Sequence, residues 1–236
     1  MKIKLPQVTL MGIDCVNVER IQKALDISCE GIEFAGVKLL TSLPTEDNRK
    51  VVIPHISSIE DFSLFCLRDL VKYVDTDFVL LVQHDGFILN PNSWDDEFLK
   101  YDYIGAPWFV HEEFWFEKYL FPRELLDKKI IGNGGFSLRS KFYLETSQRL
   151  FESGVFKEHH PEDLVMCVWN RKTVEDAGIR FAPIEIAERF SIEGEDHVYS
   201  SQFGFHSLTW TDISKWIKEN PKRGIELTRH SFKDIN

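Results

Sequence analysis

No C-x-x-C pair occurs anywhere in the 236 residues, and the four cysteines (Cys15, Cys29, Cys66, Cys167) are scattered. In a chain of this length they read as ordinary buried thiols, which excludes a disulfide framework and a zinc knuckle. Long apolar runs are missing too, since none approaches the ~20 residues needed to cross a bilayer. The opening MKIKLPQVTLMGIDC carries two lysines, but Pro6 and Gln7 interrupt its short apolar run, which speaks against a signal peptide. Basic residues are in deficit: 28 Lys and Arg stand against 38 Asp and Glu, a net charge of −10. A nucleic-acid binder needs a basic stripe to displace counterions from phosphates, so that partner class is excluded. A small nucleotide is not excluded, because one metal ion and a few local donors hold such an anion. There are no repeats and no low-complexity segments. The expectation is a soluble, reduced, cytoplasmic protein with no transmembrane segment.

What is abundant is apolar and aromatic. The chain is 43% hydrophobic, with 19 Phe, 6 Trp and 6 Tyr, enough for a substantial core. The polar stretch Pro44–Lys50 reads as a connection inside one domain, because neither side is long enough to be complete alone. Val8–Gly12 is a short apolar run, Val18–Leu25 has helical spacing, and Gly36–Leu40 is strand-like again, the start of a β-α-β pattern. Val51–Ile53 is a further short run. Ser57-Ser58-Ile59-Glu60 fits a capping box in which Ser57 bonds the backbone of Glu60. Apolar residues then recur at Ile59, Phe62, Cys66, Leu70 and Tyr73 along one helical face. Phe78–Val82 is apolar without alternation, as expected of a strand buried on both faces. Later, a short helix is expected from Ser93, strands at Tyr103–Ala106 and Phe136–Leu138, and a helix over Lys141–Phe151. Another helix is expected from Pro161 as its first residue, and a last one capped by Thr211 or Asp212 and running through Ile217. The sum is an α/β domain with a mixed, mostly parallel sheet flanked by helices.

Four constellations carry candidate chemistry. Gln83-His84-Asp85-Gly86 follows the buried strand, where open α/β sheets bind ligands. Asp-Gly is also a hairpin signal, so a turn and a ligand site are both open there, and one segment can be both. Gly132-Asn133-Gly134-Gly135 lets a backbone approach a ligand closely, but it precedes a strand instead of opening a helix, which disfavours a dinucleotide fold. His160-Pro161-Glu162-Asp163 stands at a helix start, where acidic residues offset the dipole. That accounts for one carboxylate better than for two, and two adjacent histidines seldom face one zinc ion. Phe203-Gly204-Phe205-His206 sets a lone histidine among aromatics, either a satisfied half-buried imidazole or a ligand. The aromatic stretch Trp108–Phe121 reads as core packing, or as an acceptor loop whose rings stack on sugars.

These segments occur in a fixed order: QHDGF at 83–87, YDYIGAPW at 101–108, GNGGFSLRS at 132–140, ED at 162–163 and FGFH at 203–206. Together they resemble a family of GT-A-type glycosyltransferase-like proteins, many described only as a domain of unknown function. The resemblance spans about residues 50 to 206. It implies a single GT-A-like, Rossmann-related domain, with a nucleotide-binding half over about 1–90 and an acceptor half with a C-terminal helix over about 91–236. It implies transfer of a sugar from a nucleotide-sugar donor to a hydroxyl of a saccharide acceptor, assisted by Mn2+ or Mg2+. Such enzymes place an acidic motif, often D-x-D, after a central strand, whereas here Gln83 stands where a first Asp would and only Asp85 is acidic. The implied metal ligands are therefore Asp85 and His206. Gln83, Asp85, Asn133, Gly134 and Gly135 would contact the donor, with Asp14, at the end of the first strand, facing the nucleoside. Glu162 and Asp163 resemble the carboxylates that inverting members use as base. The rival readings are a nucleotidyltransferase, disfavoured because no basic glycine loop grips a triphosphate, and a noncatalytic saccharide-binding module. The binding module gives no reason for Asp85, Glu162, Asp163 and His206 to converge.

Overall fold

A computed structural model describes residues 2–111, 121–194 and 197–225. The first strand, β1 (Ile3–Ile13), is longer than its apolar run because Pro6 is absorbed in a register shift between Leu5 and Thr9. Pro has no N–H to give a ladder, so it is tolerated where the pairing is already interrupted. Helix α1 (Val18–Ser28) starts at Asn17, whose side chain accepts from Glu19 N. It buries Ile21, Ala24, Leu25 and Ile27. A Cβ on Gly12 would come within 2.6 Å of Ile21, so the missing side chain lets α1 sit tight on β1.

Strands β2 (Ile32–Thr41) and β3 (Lys50–Val52) continue outward, both parallel to β1. Helix α2 (Ile59–Leu64) corrects the expected cap by one position. Ser58, not Ser57, accepts from Asp61 N at 3.0 Å, and Asp61 reaches back to Ser57. The apolar face through Tyr73 is present but not as one α-helix, since a wider turn (Phe65–Asp69) and a tighter one (Leu70–Tyr73) follow α2. The chain then enters β4 (Phe78–Val82), parallel to β1 on its other side and buried at Val79, Leu80, Leu81 and Val82.

The remaining sheet strands are β5 (Tyr103–Gly105) and β8 (Phe136–Ser140); β6 (Pro107–Phe109) and β7 (Lys129–Ile131) form a separate antiparallel pair. The six-stranded order is β3-β2-β1-β4-β8-β5, with β8 antiparallel to both neighbours. This is the mixed, mostly parallel α/β architecture expected from the sequence. No α-helix starts at Ser93; Pro91–Ser93 and Asp96–Lys100 are short 3-10 turns, the second capped by Asp95. Helix α3 (Lys141–Glu152), capped by Ser140, packs against the turn after α2, where Ser147 Oγ donates to Leu67 O at 2.9 Å. Helix α4 (Glu162–Leu164) begins one residue after Pro161, which takes the cap position. The last helix, α7 here after α5 (Arg171–Asp176) and α6 (Ile184–Phe190), runs Ser214–Glu219 and starts later than expected. Asp212 supports its entry by accepting from Ser214 N at 2.9 Å.

One hydrophobic cluster draws on the whole described chain, from Leu5 to Trp216. Phe98, Phe136, Phe190 and Phe203 stack within it, which accounts for much of the aromatic load as core. A smaller cluster joins Val110 and Phe121, both from the aromatic stretch, to Leu164 and Val168. Residues 112–120 of that stretch lie outside the described residues, and the acceptor-loop reading with them. The four cysteines are free thiols. Among the described residues no helix is long and apolar enough to cross a membrane.

Candidate functional site

The sheet has a switch point. From β1 the chain crosses to β2 on one side, and it later returns from β3 to β4 on the other. Right-handed crossovers in opposite directions put the connecting helices on opposite faces, leaving a crevice at the carboxyl ends of β1 and β4. Asp14 follows β1 and Gln83-His84-Asp85 follows β4, so both flank that crevice.

The Asp-Gly turn is real but makes no hairpin. Gly86 N donates to Gln83 O at 3.2 Å, and Ile88 then bridges Gly204 instead of folding back on β4. That bridge brings the turn to β10 (Gly204–Phe205), which pairs in parallel with β9 (Ser191–Ile192). His206 follows β10 directly. Its Nε2 lies 3.1 Å from Gln83 Oε1 and 3.6 Å from Asp85 Oδ1. Two segments 121 positions apart thus meet in one cleft (206 − 85).

The glycine segment closes the cleft from a second side. A Cβ on Gly135 would fall 2.1 Å from His206 Nε2, and one on Gly134 would fall 2.5 Å from Glu162 Oε1 and 3.3 Å from Asp163 Oδ2. Only a bare backbone fits between the imidazole and the carboxylates. Gly134 N donates to Asp163 Oδ2 at 3.1 Å, and Phe136 N to Asn133 Oδ1 at 2.9 Å. Asn133, Gly134, Gly135, Gln83, Asp85, His206, Glu162 and Asp163 therefore form one connected group.

The two acidic neighbours have different surroundings. Glu162 is buried and receives Arg139 Nη2 at 3.0 Å, inside a strand whose guanidinium also bonds Gly134 O and Ser137 Oγ. Among the described residues Asp163 has no ion-pair partner, and it is only partly covered. Burial and the neighbouring Glu162 charge push its carboxyl well above the usual range. Burial alone would also lift Asp85 and neutralise His206, but their opposite charges win. The carboxyl of Asp85 is held well below its ordinary value by His206, and the imidazole is held well above its own by Glu193 and Asp85.

Asp14 is not part of the converging group. Its Oδ1 accepts from Val16 N at 2.8 Å and Asn17 N at 2.9 Å, and Arg20 Nε reaches its Oδ2 at 2.5 Å. A carboxylate engaged this fully anchors the turn into α1, and Arg20, half-exposed, is the group it presents at the strand end expected to face the nucleoside. His84 senses Arg20 and Asp14 as well as Asp85 and His206, and burial above all pulls its imidazole below the ordinary value. His160 points elsewhere, 2.9 Å from Ser63 Oγ.

Sequence reasoning missed two members. Arg139 lies inside a quoted motif, and a lone arginine in an apolar strand was itself the signal of a buried partner. Glu193, which touches His206 Nδ1 at 2.7 Å, gave no signal in its acidic loop. Two surface hollows of about 460 and 390 Å³ lie apart from this group, the first among Asp26, Glu30, Arg49 and Arg223 and the second among His55, Asp61, Arg68 and Tyr73. Arg49 and Arg223 in the first are already paired to Asp26 and Glu30.

Among the described residues no group of three His, Cys, Asp or Glu side chains is placed to hold a metal ion. The pair Asp85–His206 fits one as a partial set, because Asp85 Oδ1 is buried with no hydrogen-bond partner beside the imidazole. Oxygen and imidazole donors of this kind suit Mn2+ or Mg2+, with water or phosphate oxygens filling the other positions. A bound ion would take the place of a proton on Nε2, the ring nitrogen that faces Asp85.

Residues 48–206, which include every member of the converging group, match the family described as "Protein of unknown function (DUF5672)". The chain belongs to that family. A search of curated proteins found no match. Solved structures similar to this DUF5672 chain include the bifunctional IspDF from Campylobacter jejuni, at 12% identity and TM-score 0.48, covering 83% of this chain and 52% of that one. Galactosyltransferase LgtC in complex with donor and acceptor sugar analogues gives 13% identity, TM-score 0.49, and coverage of 95% and 98%. Glucosyl-3-phosphoglycerate synthase from Mycobacterium tuberculosis, in complex with phosphoglyceric acid, gives 14%, 0.39, and coverage of 59% and 58%. The chain thus spans little more than half of the first and third of these proteins.

Proposed function

We propose that this DUF5672 chain is a glycosyltransferase of GT-A type, moving a sugar from a nucleotide-sugar donor to a hydroxyl of a saccharide acceptor. The observation that carries the reading is the convergence of Asp85, His206, Gly134, Gly135 and Asp163 beside a sheet switch point. An acceptor hydroxyl must lose a proton as its oxygen bonds the anomeric carbon, while the carbon–oxygen bond to the nucleoside diphosphate breaks. Asp163 takes the proton: burial and the Glu162 charge raise its carboxyl above the usual range, which makes its carboxylate a stronger base than an ordinary one, and Gly134 N orients its Oδ2. Glu162 is the structural neighbour, neutralised by Arg139. The bare backbone at Gly134–Gly135 lets His206 and the Glu162–Asp163 carboxylates close in around it, forming one wall of the sugar pocket, with Asn133 beside it. Asp85 and His206 would hold a divalent ion, with Gln83 beside them, which neutralises charge on the leaving diphosphate. Arg20, braced by Asp14, and His84 supply the nucleoside end.

Thermal shift with UDP, GDP, CDP and dTDP, each with and without Mn2+, tests the donor site. A ligand at a hundred times its dissociation constant adds about 2.7 kcal/mol, roughly 5–11 °C for a chain of this size. At least one diphosphate should reach that range, more so with Mn2+; a flat panel refutes the donor site. Release of nucleoside diphosphate from the matching sugar donor, with no pyrophosphate from the triphosphate, separates this reading from a nucleotidyltransferase.

A further inference from the structure

We infer that Glu193 is a positioning residue of this site: it locks His206, Asn133 and Trp108 into one arrangement and thereby aims His206 Nε2 at Asp85 and Gln83. What the site does rests on the glycosyl-transfer reading; that Glu193 orients it has a readout of its own. The topology supplies the juxtaposition. In the parallel pair β9–β10, Ser191 faces Gly204 and Ile192 faces Phe205, so Glu193 and His206 leave the two strands side by side. His206 N donates to Ile192 O at 3.0 Å, fixing the backbone of the pair.

Three donors from three parts of the chain meet on the Glu193 carboxylate. Its Oε1 lies 2.7 Å from His206 Nδ1, and its Oε2 takes Asn133 Nδ2 at 2.5 Å and the indole N–H of Trp108 from β6. A carboxylate has no hydrogen to give and about four acceptor positions, so it satisfies all three at once. Which end of the Asn133 amide faces it is settled independently, because Oδ1 already accepts from Phe136 N at 2.9 Å. Asn133 Nδ2 also lies 2.9 Å from His206 Nδ1, and with an acceptor-only group facing both, each donates to Glu193. The proton is thereby placed on Nδ1 and the ring plane is set, which leaves Nε2 facing the cleft. Gly135 backs the ring from the other side and blocks rotation away. Glutamine cannot reproduce this arrangement: with its amide oxygen toward Asn133 and Trp108, its N–H2 faces His206 Nδ1 and is satisfied only if the ring proton leaves Nδ1. Aspartate keeps the charge but is one methylene too short to reach all three donors.

The test uses the full chain carrying 15N-labelled histidine, with the His206 imidazole signals identified by their loss in His206→Gln. In the wild type, the Nδ1 proton of His206 should be protected from exchange. In Glu193→Gln that protected signal should vanish or move, and in Glu193→Asp it should weaken, with far-UV circular dichroism unchanged. Trp108→Phe removes one donor only and should leave the Nδ1 signal in place. In parallel, Mn2+ alone is titrated by the electron paramagnetic resonance of the free ion, and Glu193→Gln should weaken binding by about 10–100-fold, as loss of a ligand-orienting partner does. If Glu193→Gln does not fold, Glu193→Asp decides. Imidazole signals that superimpose on those of the wild type in the folded variants overturn the inference. Imidazole signals that change while the wild type itself binds no Mn2+ uphold the positioning role and remove the metal from the proposed function.

Discussion

Arg139→Met should be among the most destabilising single changes in this protein, and the structure says why. Arg139 is 2% exposed and Glu162 7%, so neither charge is reached by bulk water. The guanidinium bonds Glu162 Oε1 at 3.0 Å, Gly134 O at 3.1 Å and Ser137 Oγ at 2.9 Å, with its carbon 5.6 Å from the Tyr103 ring centre. Gly134 O would keep a donor after the substitution, since Ser137 Oγ reaches it at 3.0 Å. The damage therefore falls on Glu162, left as a buried carboxylate with no cation. Breaking such a pair costs about 3–5 kcal/mol, which for this length is a drop of roughly 6–20 °C in Tm. Arg139→Met combined with Glu162→Leu removes both charges and should recover most of the loss, because an apolar pair of similar volume is commonly neutral or better. Urea unfolding of the two single variants and the double variant, followed by tryptophan fluorescence, gives the coupling directly. A single variant within about 1 kcal/mol of wild type, or a double variant no more stable than the worse single, would refute the argument.

Three further outcomes follow from the site. Gly135→Ala places a methyl 2.1 Å from His206 Nε2, so the imidazole must move and nucleotide-dependent thermal shifts should disappear although no polar side chain has been removed. Asp163→Asn should lower turnover by about 10²–10⁴-fold with donor affinity nearly unchanged, measured as separate kcat and KM values, since proton removal matters only on the way to the transition state. The pH dependence of stability has a fixed sign at His206. Its folded value is raised above 6.5, so its contribution is complete below about 6.5 and is lost as pH climbs through the raised value. Thermal melts should therefore show the stability advantage of wild type over His206→Gln shrinking above pH 6.5; an advantage that grows there contradicts the charged arrangement. Asp85 is the opposite case: its folded value is depressed, and its contribution is lost only as pH falls below the ordinary carboxylate range.

The sequence by itself determined the class of fold and most of the candidate site. Phe78–Val82 has no polar residue to show to water, so it had to be an interior strand, and β1, α1 and β2 follow from their periodicities. These are local patterns, and one residue's environment repeats along the element. The glycines at 134 and 135, the turn at Asp85 and the acidic pair at 162–163 were visible because each residue type is unusual where it stands. Errors clustered where a local signal had near-equal alternatives: Ser57 or Ser58 as cap, a helix or two short turns after Asn90. What only the tertiary structure decided is who faces whom. Asp14 looked as available as Asp85, but two loop amides and Arg20 occupy it, while Asp85 Oδ1 has no hydrogen-bond partner. Glu162 and Asp163 are adjacent in sequence, yet one is neutralised by an arginine 23 residues back and the other is not (162 − 139). Glu193 reads as one acid among several in a surface loop until the β9–β10 register sets it against His206. Charge and hydrogen-bond assignment depend on partners distant along the chain, and those distances close only when the strands pair.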